Sequence, residues 1–131
     1  MASLPPNVAL LSSVSPLGTP PPGTDLVFSF VFTNGGGLPA SVYIIIDPIP
    51  AYTDFKVSSA TTNLGTTGLT VVVEYSNDNA ATWTYTPVSA GGGAPANYDR
   101  LVTHVRWCFT GSLSQTSPNN TGSVGLTAKI R

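Results

Sequence analysis

Short apolar runs separated by turn-forming residues are the feature that most limits how this chain can fold. Valine, isoleucine, phenylalanine and tyrosine occur in strand-length groups, with glycine, proline, serine, threonine and asparagine between them. Helical periodicity is nearly absent, and no apolar run approaches the ~20 residues of a membrane span. The pattern predicts an all-β fold of about seven to nine strands, typical of an antiparallel immunoglobulin-like β-sandwich.

Two strands stand out by their alternation. In Asp25–Thr33 every second residue is Leu26, Phe28, Phe30 or Phe32, so these side chains share one face, and we expect Phe28 and Phe30 at the centre of the core. In Arg100–Thr110 the shared face holds Leu101, Val105, Trp107 and Phe109. Other strands are predicted at Asn7–Val14, Ala40–Ile46, Phe55–Ser58, Leu69–Ser76, Thr82–Thr86 and Gly122–Ile130.

Loops between these runs are polar and rich in glycine and proline. The loop Asn34–Leu38 is predicted to supply the positive φ angles of a reversal. The stretch Ser59–Gly68 is predicted to be a polar connection, and Pro87–Asn97 a flexible loop. With 131 residues the chain fits one domain, 1–131, and we expect residues 1–13 to be a segment that could donate a strand to a neighbour.

Charge is scarce. Asp, Glu, Lys and Arg make up 8% of the residues, whereas about 25% is ordinary for a soluble domain. Five basic residues cannot form a phosphate-binding surface, so nucleic acid is not an expected partner. A net charge of -1 gives little repulsion between copies, which favours association of the chain with itself.

The residues that could do chemistry are few and scattered. His104 and Cys108 lie four apart on one predicted strand, which separates their side chains by roughly 13 Å, too far for a nucleophile and its base. No paired carboxylates, phosphate loop or metal-ligand cluster is visible, and Asp54, Lys56 and Glu74 are interpreted as solvated strand positions. We predict no enzyme activity, no catalytic, cofactor or metal site, and no small-molecule substrate.

Cys108 is the single cysteine, so no disulfide can form within the chain. It is either a small apolar residue in the core or an interface, or the site of a disulfide to another copy. Asn119, Asn120 and Thr121 form a glycosylation sequon on a predicted loop, although chance produces this triplet often.

A hairpin motif is visible at residues 76–83. Ser76, Asp78, Thr82 and Trp83 match the Asp-box pattern S-x-D-x-G-x-T-W, and Ala80 replaces its glycine. We expect the Ser and Asp side chains to accept turn amide hydrogens and Trp83 to anchor the hairpin against the core. The motif therefore indicates a structural role, with calcium or sugar binding as the minor alternative.

Several motifs together resemble a known family. The strand Gly23–Gly35 with its alternating aromatics, the turn Asp47–Pro50, the stretch Tyr75–Pro87 and Val102–Trp107 with Gly111–Leu113 are similar to the domain of unknown function eleven. That family is a conserved immunoglobulin-like repeat of prokaryotic surface proteins. The resemblance covers most of the chain and implies a structural role without catalytic residues.

We therefore predict a structural subunit that assembles with copies of itself in an extracellular or cell-surface filament or lattice, through sheet edges and termini. The alternatives are an adhesion or binding module excised from a multi-repeat surface protein, which would use loops such as Asn34–Leu38 and Pro87–Asn97, and a virion decoration protein. The first residues lack a secretion signal, and we expect that a signal was removed from the chain.

Overall fold

The structure is a computed structural model that describes residues 2–41 and 44–131, and these residues form strands and no helix. The strands are β1 (Ala2–Ser3), β2 (Val8–Ser15), β3 (Asp25–Asn34), β4 (Ala40–Ser41), β5 (Ile44–Pro48), β6 (Thr53–Lys56), β7 (Thr61–Asn63), β8 (Thr70–Ser76), β9 (Tyr98–Asp99), β10 (His104–Thr110), β11 (Ser112–Leu113) and β12 (Thr121–Ile130). Within the described ranges, nothing helical is long and apolar enough to span a membrane.

Two antiparallel sheets pack face to face. The six-stranded sheet has the order β2-β3-β12-β6-β9, with β7 also paired to β12, and the four-stranded sheet has the order β1-β5-β10-β8. The short pair β11-β4 lies beside them. The predicted all-β antiparallel sandwich is confirmed. The number of strands is larger than predicted because polar or very short segments such as β7 and β9 also join the sheets.

The core forms where β3 faces β10. Phe30 packs on Trp107 with ring centroids 5.9 Å apart, and Phe32 packs edge-on against Phe109 at 5.2 Å. Such aromatic pairs add to the hydrophobic stabilisation of burial. Phe32 is fully buried whereas Phe28 is only partly so, which places the centre of the core closer to Phe32 than predicted.

The predicted inward face of β10 is confirmed for Val105, Trp107 and Phe109, all of which are buried. It is wrong for Leu101, which is 46% exposed because the strand begins only at His104. The predicted strand Ala40–Ile46 corresponds to β4 and the start of β5, and its residues 42 and 43 lie outside the described part.

One strand prediction and one loop prediction also need correction. Residues 82–86 do not form a strand and contribute only one β-bridge, between Tyr75 and Tyr85. The loop Asn34–Leu38 turns without any glycine in the left-handed region. The Asn34 side chain organises this turn instead, since its Oδ1 accepts from the Gly36 amide at 3.0 Å and its Nδ2 donates to the Leu38 carbonyl at 2.8 Å.

Candidate functional site

Strand β2 is an exposed sheet edge. Among the described strands it pairs with β3 alone, and its eight residues, VALLSSVS, contain neither a charged residue nor a proline. Leu11, Ser12 and Ser13 are all exposed. Natural sheets usually protect such an edge with charges, prolines or bulges, because its unpaired backbone groups can bind a strand of another chain. The β2 edge therefore has the properties of a joint.

The N-terminal segment predicted as a strand donor is used within the chain in this structure. Ala2 and Ser3 pair with Ile45 and Ile44 of the four-stranded sheet, and residues 8–13 pair with β3 of the six-stranded sheet. The chain crosses from one sheet to the other at residues 4–7. Donation to a neighbour would require these pairings to be exchanged between copies, and it stays a prediction.

The edge at β8 is better protected than the β2 edge. Val72 is 61% exposed there, but Glu74 places a charge on the strand and the bridge to Tyr85 covers its end. Arg106 of the neighbouring strand donates to Glu74 at 2.8 Å, and this hydrogen bond is the main reason why the pKa of the Glu74 carboxyl is lowered. The β2 edge has no comparable feature.

A buried carboxylate joins three segments at one end of the sandwich. Asp54 is only 1% exposed and accepts two hydrogen bonds from Arg100, from Nε at 2.8 Å and from Nη2 at 3.0 Å. Arg131 approaches the same carboxylate, with Nε 3.1 Å from Oδ1. The prediction that Asp54 occupies a solvated strand face is wrong, because the two guanidinium groups cover it.

Two further carboxylates continue this network. Asp99, fully buried, accepts from the Tyr85 hydroxyl at 2.7 Å and from two backbone amides. Asp25 accepts from the Tyr98 hydroxyl at 2.8 Å, while the Lys129 ammonium lies 4.4 Å from the Tyr98 ring centroid. Burial, followed by these bonds to carboxylates, raises the pKa of both tyrosines to about 12. These groups act as structural cross-links.

The Asp-box residues form the predicted turn. The Ser76 hydroxyl accepts from the Ala80 amide at 2.9 Å and donates to Asp78 at 2.7 Å, and Asp78 accepts from the Thr82 amide at 2.9 Å. Hydrogen bonds from the Thr82 and Ser76 hydroxyls lower the pKa of Asp78 to about 2. The side chains of this turn are occupied with one another, which agrees with a structural role.

Trp83 does not anchor that turn in the core, contrary to expectation. Its ring lies outside the four-stranded sheet, with the Arg106 guanidinium 4.5 Å from its centroid and the His104 ring 6.4 Å away. The core position is filled by Trp107. The sequence offered two tryptophans, and only the alternation around Trp107 identified the buried one.

His104 and Cys108 are not brought together. Both lie on the outer side of β10 with Arg106 between them, and the Cys108 thiol donates to Glu74 at 3.4 Å. Burial raises the pKa of this thiol, and burial lowers the pKa of His104. Among the residues that the structure describes, no group of three or more His, Cys, Asp or Glu side chains could hold a metal ion.

The two loops considered for binding lie at opposite ends. Residues 87–97 pack against Asp99 and Arg100, whereas Asn34–Leu38 lies at the other end of β3. Tyr98, the aromatic residue nearest to either loop, is buried and bonded to Asp25. The two loops cannot act as a single site.

Asn119 of the glycosylation sequon is exposed, and its side-chain oxygen accepts from the Thr66 hydroxyl at 2.6 Å.

Asp47 lies in an open groove between the two sheets. The groove has a volume of about 300 Å³ and is lined by Ser12, Val14, Phe28 and Phe30. Oδ2 of Asp47 is buried and has no hydrogen-bond partner among the described residues. Burial raises the pKa of this carboxyl to about 6. This position could not be found from the sequence, where Asp47 belongs to an Asp-Pro turn pattern.

Comparison with known proteins adds no relative: no family model, curated protein or solved structure matches this chain.

Proposed function

We propose that this protein is a structural subunit that assembles with copies of itself in a filament or lattice at a cell surface or outside the cell. The observation that carries the proposal is the uncharged, exposed β2 edge, to which a strand of a neighbouring copy can add. The resemblance to immunoglobulin-like surface repeats supports the same role and the same location.

The use of the few charges supports assembly as well. Seven of the eleven charged residues lie at one end of the sandwich, in three groups: Asp54 with Arg100 and Arg131, Asp25 with Lys56 and, through Tyr98, Lys129, and Asp99 with Tyr85. Charges that are paired within the chain repel a neighbour less than free charges do. Much of the remaining surface presents backbone, hydroxyl and small apolar groups, which cost less to desolvate than charges when they are hydrogen-bonded across a contact.

Light scattering after size-exclusion chromatography, over a concentration series, tests this proposal. We expect the average mass to rise with concentration, and electron microscopy of the assembled material distinguishes a filament from a lattice or a virion coat. A strictly monomeric protein at the highest concentration would contradict self-assembly.

The edge itself is tested by Ser12→Lys. Ser12 is exposed on β2 and points toward the groove between the sheets, and an inward-pointing lysine is a natural means of blocking edge pairing. Thr84→Lys, at an exposed coil position, is the matched control. We expect association to fall for Ser12→Lys and to stay unchanged for the control. Deleting residues 1–13 removes β1 and most of β2, so it tests strand donation and the β2 edge together, and unchanged association of that shortened chain would contradict both.

A further inference from the structure

The outer face of the six-stranded sheet is free of charge over most of its area. Three neighbouring strands present rows of small side chains there, set by their register: Ala9, Leu11, Ser13 and Ser15 on β2, Val27, Ser29, Val31 and Thr33 on β3, and Thr121, Ser123, Gly125 and Thr127 on β12. Thr61 and Asn63 of β7 extend two of these rows. We call this surface the neutral face.

One row of the neutral face has a knob and a hollow. Register places Leu11, Val31, Ser123 and Asn63 side by side on four adjacent strands. Leu11 is 71% exposed at one side of the sheet. At the other side lies a depression of about 410 Å³, lined by Val31, Asn63, Gly65, Thr66, Pro118 and Ser123 among others. At about 4.8 Å per strand, Leu11 lies roughly 10 Å from Ser123 and roughly 14 Å from Asn63, while Val31 at the near rim of the hollow is its direct neighbour.

We infer that the neutral face binds the same face of a second copy around a two-fold axis. The axis would run along the strands, midway between Leu11 and Asn63. Leu11 of each copy then enters the hollow of the other copy beside Asn63. Such a self-complementary arrangement is what a two-fold interface requires. This inference rests on the proposed self-assembly and adds a second joint, which uses a face instead of an edge.

The chemistry of the face suits a second copy. A face without charge brings no like charges together across the axis, and burying hydroxyls in hydrogen-bonding distance of one another costs little. Thr33 and Thr121 already share a hydrogen bond of 3.0 Å within one copy. No aromatic side chain occurs in these rows, so a stacked sugar or base has no platform there.

The size of the face predicts a weak contact. Four rows on three strands, two of them extended onto β7, cover roughly 400 Å² per copy or about 800 Å² in total, and about 1,000 Å² in total is the lower bound for a specific interface. Weak dimer contacts are sufficient in an assembly, because several joints act together. The expected solution behaviour is a reversible dimer at high concentration.

A charge exchange across the axis tests the arrangement. We expect Leu11→Glu and Asn63→Lys each to weaken association at least about tenfold, because each places an unpaired charge in a neutral interface. The double variant should recover most of the loss, since each new glutamate then faces a lysine of the other copy. Within one chain the two positions are too far apart to pair. Sedimentation velocity over a concentration series measures all four proteins.

Controls separate this joint from the edge. Ser123→Lys changes β12, which has neighbours on both sides, so weaker association there arises from the face and not from an edge. Leu17→Glu removes an equally exposed leucine, 83% accessible, outside the neutral face and should have no effect. In Ser12→Lys, whose edge is blocked, the largest species should be a dimer.

Each other outcome overturns the inference in a recognisable way. If the wild-type chain is monomeric, self-assembly fails together with this joint. If it associates but the variants at residues 11, 63 and 123 behave like Leu17→Glu, the face is not a joint while edge assembly stands. If the single variants weaken association and the double variant does not recover, the neutral face binds a different surface and the two-fold arrangement is wrong. Thermal unfolding of each variant confirms that it is folded.

Discussion

The two ends of the sandwich are stabilised by different chemistry. One end, which we call the charged end, holds Asp47 and Asp78 together with the network around Asp54 and Asp99. The opposite, uncharged end is built from residues 5–8, 34–41, 63–70 and 110–121, and none of these segments contains a charged residue. Its links are amide and hydroxyl hydrogen bonds centred on Asn34. A chain with few charges thus uses most of them for internal contacts at one end.

This difference bears on assembly. Charges that are bonded within one end are not free to keep copies apart, and the β2 edge and most of the outer face of the six-stranded sheet are neutral. The two ends also differ in their expected response to pH, because only the charged end contains groups that titrate. Variants at either end can therefore test whether the ends are independent.

The largest effect is expected from Asp54→Asn at the charged end. The amide lacks the negative charge and keeps only one acceptor oxygen, so it cannot accept from both Nε and Nη2 of Arg100, and we expect a loss of about 2–4 kcal/mol in the free energy of unfolding. Urea denaturation measures it. Glu74→Gln makes the same chemical change in a partly exposed pair with Arg106 and should cost less than about 1 kcal/mol. Equal losses in the two variants would contradict a special role for the buried network.

Asn34→Ala is the corresponding change at the uncharged end. Asn34 is fully buried, and its side chain bonds the Leu38 and Leu113 carbonyls, the Gly36 amide and Asn7. Truncation leaves these groups without their partner, so we expect a loss of about 2–3 kcal/mol. Asn119→Ala, at an exposed loop position, is the control and should change stability by less than about 0.5 kcal/mol. Hydrogen exchange should show that the loss opens the uncharged end first.

The charged end should respond to pH through Asp47. Its folded pKa of about 6 lies above the ordinary aspartate pKa of 3.8, so the folded state binds this proton more tightly than the unfolded state does. Its contribution is fully present below about pH 4 and is lost as the pH rises to about 6, by about 1–2 kcal/mol at this partly open groove. Asp47→Asn should remove this slope in a series of thermal melts.

Asp78 acts in the opposite direction and in a different window. Its pKa is lowered to about 2, so the stability that it contributes is present above about pH 4 and is lost as the pH falls toward 2. The Asp47→Asn variant keeps this acid loss, which separates the two carboxyls. A pH slope between 4 and 6 that survives in Asp47→Asn would assign the titration to another group.

The buried core could be predicted from the sequence, whereas the polar contacts at the two ends of the sandwich could not. The alternation in β3 and β10 was sufficient to place Phe30, Trp107 and Phe109 inside, because period-two patterning depends only on the strand itself. Asp54, Asp99 and Asn34 were not found, since each is buried by partners distant in sequence: Arg131 for Asp54, Tyr85 for Asp99, and Leu113 for Asn34. No local pattern marks a polar residue that will be buried in this way.

The positions of the β2 edge and of the neutral face could not be predicted from the sequence either. Shortage of charge was visible in composition and suggested association, but the composition does not say where the neutral surface lies. The edge position of β2 and the row that joins Leu11 to Asn63 follow from strand order and register, which pair Leu11 with Val31, Val31 with Ser123 and Ser123 with Asn63, at separations of 20, 92 and 60 positions. The hydrogen bonds of Ser76 and Asp78 in the Asp-box turn were predicted correctly because the partners of these two side chains lie within residues 76–82, whereas the predicted anchoring by Trp83 was wrong.

The smallest expected change in stability concerns the Asp-box turn. Ala80 has a φ of 70° in the left-handed region, at the position where the Asp-box pattern has glycine. Glycine adopts this conformation without steric cost, so Ala80→Gly should raise the free energy of unfolding by about 0.5–1 kcal/mol. Ala81→Gly is the matched control, because Ala81 has no positive φ and glycine there only adds freedom to the unfolded chain. This rise in the free energy of unfolding should be equal in the wild type and in Asn34→Ala, because Ala80 lies in a turn at the end opposite Asn34. A rise that depends on Asn34 would show that the two ends are coupled.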